Sequence, residues 1–194
     1  MAKRPLKDLE QVEVRTRAEL RAWLEDNHLR AEGIWLISHK KSSPHYLEYG
    51  AIVEEALCFG WIDSTARPLD AQRSMQLLTP RRKGSAWSRP NKIRIERLIE
   101  EGRMRPPGLA KIEQAKLDGA WTFLDDIEAL VVPPDLQEAL EAHPPALANW
   151  EAFPRTVKRF RLHWIKTAKR PETRAKRVSA TAEAAQRNER ALPQ

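Results

Sequence analysis

The chain has 194 residues, 41% of them hydrophobic, with seven tryptophans and a formal net charge of +7 at pH 7. That apolar content suits one domain with a small appendage and excludes a wholly disordered chain. A single cysteine, Cys58, excludes an intramolecular disulfide and suits a reducing compartment, and no apolar run approaches the roughly eighteen residues of a membrane helix.

The charge is unevenly spread. Residues 1–80 carry a net −1, 81–119 carry +6, 120–153 carry −7 and 154–194 carry +9. The last two blocks can neutralise each other, or they can leave a basic face for an anionic partner. The first twelve residues are charged without an apolar stretch, which points away from a secretory signal and toward a soluble cytoplasmic protein. Both ends are polar enough to fray.

In chain order, QVEVR (11–15) alternates like a short strand. Thr16 and Glu19 then form a T-x-x-E capping box, and Leu20, Trp23 and Leu24 follow at helical spacing, which predicts a helix over about 16–28. GIWLISHKK (33–41) reads as a strand covered on both faces, because its four apolar residues are consecutive. Tyr49, Ile52, Val53, Ala56 and Leu57 mark a second helix ended by Gly60. WIDSTARPLD and RSMQLLTPR read as two strands joined by a turn around Pro68 and Asp70. Pro90 opens a helix through Ile95, Leu98 and Ile99 that ends at Gly102. Pro106, Pro107 and Gly108 read as a break, followed by a short helix over 111–116.

Everything later reads helical. Leu136, Ala139 and Leu140 share one face, and Leu147 and Trp150 another. A longer helix after Pro154 places Val157, Phe160, Trp164 and Ala168 on one stripe, expected to face the core. An Ala-rich helix follows Pro171 to about 188. The expected fold is therefore α+β: a small, mostly antiparallel sheet with packed helices over 1–130, then an all-helical module over 131–194.

Four strings together carry a family resemblance: EEALCFGWIDS (54–64), QLLTPRRKGSAWSRPNK (76–92), GRMRPPGLAKIEQAKLDGAW (102–121) and HWIKTAKRPETRAKR (163–177). They resemble the YdeI/OmpD-associated family, also labelled bacteriocin-protection protein, over about residues 12–188. The resemblance implies a C-terminal helical module and a stress-protection label. It implies no catalytic mechanism and no cofactor.

Two constellations stand out. In the first, Trp61, Asp63, Ser64, Arg81, Ser85, Trp87, Ser88, Asn91 and Lys92 could line a pocket for an anionic or flat ligand, with arginine as a fork and tryptophan as a stacking plane. The competing reading has Ser88 capping a helix while Trp61 and Trp87 lie in the core. P-loop spacing is absent, and no G-x-S-x-G elbow surrounds the serines. Asp63 is the candidate acid or base if the protein is an enzyme without a cofactor. Cys58 reads as an inert buried thiol, and the five histidines show no zinc spacing, so no metal is expected. Glu54 and Glu55 read as a solvated or ion-paired helix edge.

The second constellation is the basic C-terminus. Lys166, Lys169, Arg170, Arg174, Lys176 and Arg177 could contact nucleic-acid phosphates, or could pair with the acidic block before them. The function expected is a non-enzymatic binding or stress-protection protein acting on an anionic ligand or a protein partner, with nucleic-acid binding as the alternative.

Overall fold

The computed structural model describes residues 5–191; the outermost residues whose fraying was expected, 1–4 and 192–194, lie outside the described residues. The chain divides into two compact units, Met1–Phe123 and Leu124–Gln194. The division precedes the boundary expected near 130, because a short helix at 125–129 already packs within the second unit.

The first unit contains β1 (Gln11–Glu13), α1 (Arg17–Asn27), β2 (Ile34–His39), α2 (Tyr49–Cys58), β3 (Trp61–Pro68), β4 (Arg73–Pro80), α3 (Arg89–Glu100) and α4 (Pro106–Leu117). The four strands form one sheet in the order β1-β2-β4-β3. β1 runs parallel to β2, with Val12 opposite Leu36, while β2–β4 and β3–β4 are antiparallel. The sheet is thus mixed, and the parallel pair is possible because α1 provides the crossover.

Local chemistry explains most boundaries. The Thr16 side chain accepts the Glu19 backbone N–H at 3.1 Å, and the Glu19 carboxylate reaches back to the Arg15 N–H at 2.7 Å. That reciprocal cap starts α1. β2 is buried along both faces: Ile34 and Leu36 join the main core with Leu20, Leu24, Ile52 and Leu57, whereas Trp35 and Ile37 pack with Leu9, Met75 and Leu77. α2 is buried on most of its surface because α1, α3, α4 and β3 all pack on it.

The predicted break at 106–108 is instead the first turn of α4. Pro106 and Pro107 occupy positions where a helix has no N–H to lose. Gly108 lies directly on the end of α2, where an added Cβ would stand 2.3 Å from the Cys58 carbonyl oxygen. Gly108→Ala must displace backbone rather than a flexible side chain. It is expected to cost about 3 kcal/mol, read as a lowered urea midpoint at unchanged m-value.

The second unit contains α5 (Asp125–Ala129), α6 (Pro134–Glu141), α7 (Ala146–Ala152), α8 (Arg155–Lys166) and α9 (Pro171–Gln186). α6, α7 and α8 all pack on α9, whose buried face carries the small residues Thr181, Ala182, Ala184 and Ala185. Small side chains let three helices approach one axis.

The inward stripe expected for α8 is corrected here. Leu162 and Ile165 are buried with Arg161, while Phe160 is 61% exposed and Trp164 only half-buried. Both stripes have helical spacing, and the packing selects the aliphatic one. Arg161 enters the interior with Nη2 donating to the carbonyls of Glu189 and Ala191 beyond the end of α9, while its Nε and Nη1 have no hydrogen-bond partner among the described residues.

Candidate functional site

β4 ends at Pro80, and the Arg81 N–H extends the β3–β4 ladder by donating to the Gly60 carbonyl at 2.9 Å. The chain then turns: Ser85 N–H donates to Arg82 O at 3.2 Å, with Gly84 at φ +74°, a left-handed conformation that glycine adopts without strain. Trp87 enters the core, and Ser88 stands at the N-cap of α3, its carbonyl accepting from Asn91 and Lys92 although its hydroxyl makes no cap bond. This loop faces α4. Between them lies a recess of about 150 Å3 lined by Arg81, Arg82, Lys83, Gly84, Ser85 and Trp87 on one side and Lys111, Gln114, Ala115 and Asp118 on the other.

Arg81 is the unusual group. It is 4% exposed, and its guanidinium lies 3.4 Å from the centroid of the Trp87 ring. Nη1 donates to Ala86 O at 3.3 Å, but Nε is buried without a partner. Burial pushes the guanidinium down to about 10, against the opposing charge of Asp63. The side chain therefore stays cationic at neutral pH while lacking a full set of acceptors. Arg82, Lys83 and Lys111 have no acidic partner among the described residues, so four cations against Asp118 leave the recess at +3.

Only part of the sequence-derived set meets at this recess. Arg81, Ser85 and Trp87 line it. Trp87 is 1% exposed and offers a ligand no stacking face, because Arg81 already covers the ring. Its other neighbour is Trp121, 5.3 Å away between centroids. Trp61 is fully buried, donating its indole N–H to His28 O and meeting Trp23 edge-on. Asp63 stands apart on β3, accepting from the Tyr49 hydroxyl and from Gln76 Nε2, both at 2.8 Å. Ser64 is exposed on the same strand. Asn91 accepts from Arg94, and Lys92 lies over the Trp121 ring at 5.2 Å. The α4 wall was missed from sequence. Lys111, Gln114, Ala115 and Asp118 recur at helical spacing, a signal that they share a face but not of what they confront.

Glu54 and Glu55 are not a solvated edge. Glu55 is fully buried, held by Arg17 Nε at 2.6 Å, Arg21 Nη1 at 2.7 Å and Arg103 Nη2 at 2.5 Å. Glu54 pairs with Arg17 and Arg97. Two carboxylates on α2 thus tie together α1, α3 and the segment after α3. Burial raises the Cys58 thiol above its usual range, with the Glu55 charge adding to the effect.

In the second unit, Lys166 pairs with Asp126 at 3.1 Å, and Arg174 grips Asp135 through Nε at 2.7 Å and Nη2 at 2.9 Å. Arg177 lies over the Trp164 ring and bonds the Thr167 hydroxyl. Lys169, Arg170 and Lys176 remain exposed. No group of three or more His, Cys, Asp or Glu that could hold a metal occurs among the described residues, and no helix is long and apolar enough to cross a membrane.

Residues 12–111, about half of the chain, match the family described as Domain of unknown function (DUF8412). Residues 129–188 match the family described as Bacteriocin-protection, YdeI or OmpD-Associated. No curated protein and no solved structure matches the chain. The chain thus belongs to the family described as Domain of unknown function (DUF8412), and its residues 129–188 are similar to the YdeI/OmpD-associated, bacteriocin-protection family.

Proposed function

We propose that this protein is a non-enzymatic, cytoplasmic binding protein that captures a small anion, or the anionic end of a larger ligand, in the recess between residues 81–87 and α4. One observation carries the reading: Arg81 is buried at the recess with Nε unpartnered, beside three further cations against which the recess sets one acid, Asp118. A buried donor without an acceptor costs free energy that an incoming oxyanion recovers. At about 150 Å3 the recess is smaller than the ~300–1,000 Å3 typical of whole small-molecule sites, so it takes one charged group with the remainder outside. The description of the second unit as bacteriocin-protection is compatible with binding rather than catalysis.

The test is thermal unfolding of the full chain against phosphate, sulfate, acetate and citrate at matched ionic strength. A binding anion at about one hundred times its dissociation constant adds roughly 2.7 kcal/mol of stability and raises Tm accordingly. If no anion raises Tm beyond what sodium chloride does, the reading is wrong. The nucleic-acid alternative draws less support, since Lys166, Arg174 and Arg177 are already engaged. Of the six basic residues expected to meet phosphates, Lys169, Arg170 and Lys176 are exposed, so binding through this face is expected to follow a log–log salt slope near about −3. A gel-shift series over salt concentration measures it.

A further inference from the structure

The single acid of the recess is the informative group. Asp118 lines a cavity with Arg81, Arg82, Lys83 and Lys111, yet it pairs with none of them among the described residues. Its oxygens accept backbone N–H groups instead, from Gly84 at 3.3 Å and from Ala120 at 3.1 Å. A carboxylate has about four lone-pair sites, so acceptor capacity remains on both oxygens. Asp118 is also the C-cap of α4, where the helix dipole disfavours a negative charge. Asp118 is exposed; it closes a turn with Ala120 and ties Gly84 to the end of α4, and it keeps further acceptor capacity at the recess wall.

Resting on the anion-binding reading above, we infer that the recess selects an oxyanion that still carries a proton, a phosphate or the phosphoryl end of a monoester, over one that carries none, such as sulfate. The cations of the recess, Arg81 among them, donate to the unprotonated oxygens. Asp118 accepts the one P–OH. Sulfate has the same shape and size but presents only acceptors, so against Asp118 it meets lone pairs with lone pairs. A carboxylate ligand is likewise proton-free at neutral pH and leaves the Asp118 acceptors unmet. A phosphoryl group loses its second proton near pH 6, and no histidine lines the recess to titrate in the same range. The selectivity therefore resides in one hydrogen bond whose proton comes from the ligand.

The experiment is calorimetric titration of the full-length chain with sodium phosphate, sodium sulfate and glycerol 3-phosphate, at matched ionic strength and about pH 6. Phosphate is expected to bind about tenfold or more tightly than sulfate, the difference made by one hydrogen bond to a charged acceptor. The monoester arm tells a free anion from a phosphorylated small molecule as the preferred form. Between roughly pH 5 and about pH 7.5 affinity for glycerol 3-phosphate should fall as the monoester loses its last proton, while sulfate affinity stays flat and phosphate, which keeps one P–OH, goes on binding. Asp118→Asn keeps one oxygen for one of the two backbone N–H groups, loses the other bond and removes the charge facing the dipole, so its fold is checked against wild type by circular dichroism and Tm before binding is compared. It should bring sulfate within about threefold of phosphate. Sulfate binding as tightly as phosphate to the wild type overturns the inference, as does an unchanged ratio in Asp118→Asn. If the folded protein binds neither anion, the recess reading itself fails.

Discussion

Glu55→Gln is expected to lower the stability of the first unit by about 3 kcal/mol or more, within the range for removing one partner of a buried ion pair. The carboxylate is fully buried and receives Arg17, Arg21 and Arg103, and its neighbour Glu54 shares Arg17. A neutral amide preserves the shape but leaves Arg21 without an acidic partner and Arg17 and Arg103 with only Glu54 and Glu101 to balance them. Melting should fall on the order of 10 °C. A midpoint within about 1 °C of wild type would show the cluster to be surface decoration. Acid titration supplies the second readout. Burial alone would raise the Glu55 carboxyl, but hydrogen bonds and charge from Arg17 and Arg21 outweigh it and hold the group below its ordinary value of 4.5. A depressed carboxyl stabilises the fold at pH values above that ordinary value, and the contribution disappears as pH falls through the folded value. Wild type should therefore lose stability below about pH 4.5, and Glu55→Gln should be flatter over that window.

Arg81→Met is expected to act in opposite directions on binding and stability. Without the guanidinium the recess loses its buried donor, and anion affinity should fall about a hundredfold or more, as for loss of a charge-assisted bond in a desolvated site. The unliganded fold should become more stable. The depression of Arg81 to about 10 represents roughly 3 kcal/mol of unfavourable burial. Loss of its stack on Trp87 returns roughly half to two-thirds of that, since desolvated cation–π contacts are worth about 2 kcal/mol. The net gain expected is about 1 kcal/mol, seen as a raised Tm in anion-free buffer. A protein that instead loses stability and keeps its affinity would place Arg81 among the structural groups. Such a trade between stability and function is the usual mark of a site kept for its ligand.

Much of this architecture can be read from the chain because local signals and packing agree. Thr16 and Glu19 announce α1 by their spacing, and the run Ile34–Trp35–Leu36–Ile37 announces a strand buried on both faces. Other features depend on neighbours that a one-dimensional pattern does not specify. Phe160 and Trp164 are as helically spaced as Leu162 and Ile165, and only the surface of α9 decides which pair turns inward. Glu54 and Glu55 look like a hydrated edge until arginines from α1, α3 and the segment after α3 arrive around them. The candidate site divides the same way. Its loop wall, Arg81 through Trp87, is conspicuous by charge and by glycine, whereas Asp118 lies more than thirty residues on, in a different helix. Asp63 and Arg81 flank the same end of the β3–β4 hairpin, yet only the second reaches the recess.

The contact at Gly108 has a reach beyond packing. α4 supplies one wall of the recess, and its distance from α2 is set by two absent methyl groups: Gly108 against the Cys58 carbonyl, and Gly60 beneath the Lys111 side chain. These glycines act as a gauge block for the cavity. A larger residue at either position pushes Lys111 and Asp118 away from Arg81, widening the calibre of the site from a point no ligand touches. The width of the recess is thereby tied to the spacing of two helices as well as to the side chains that line it.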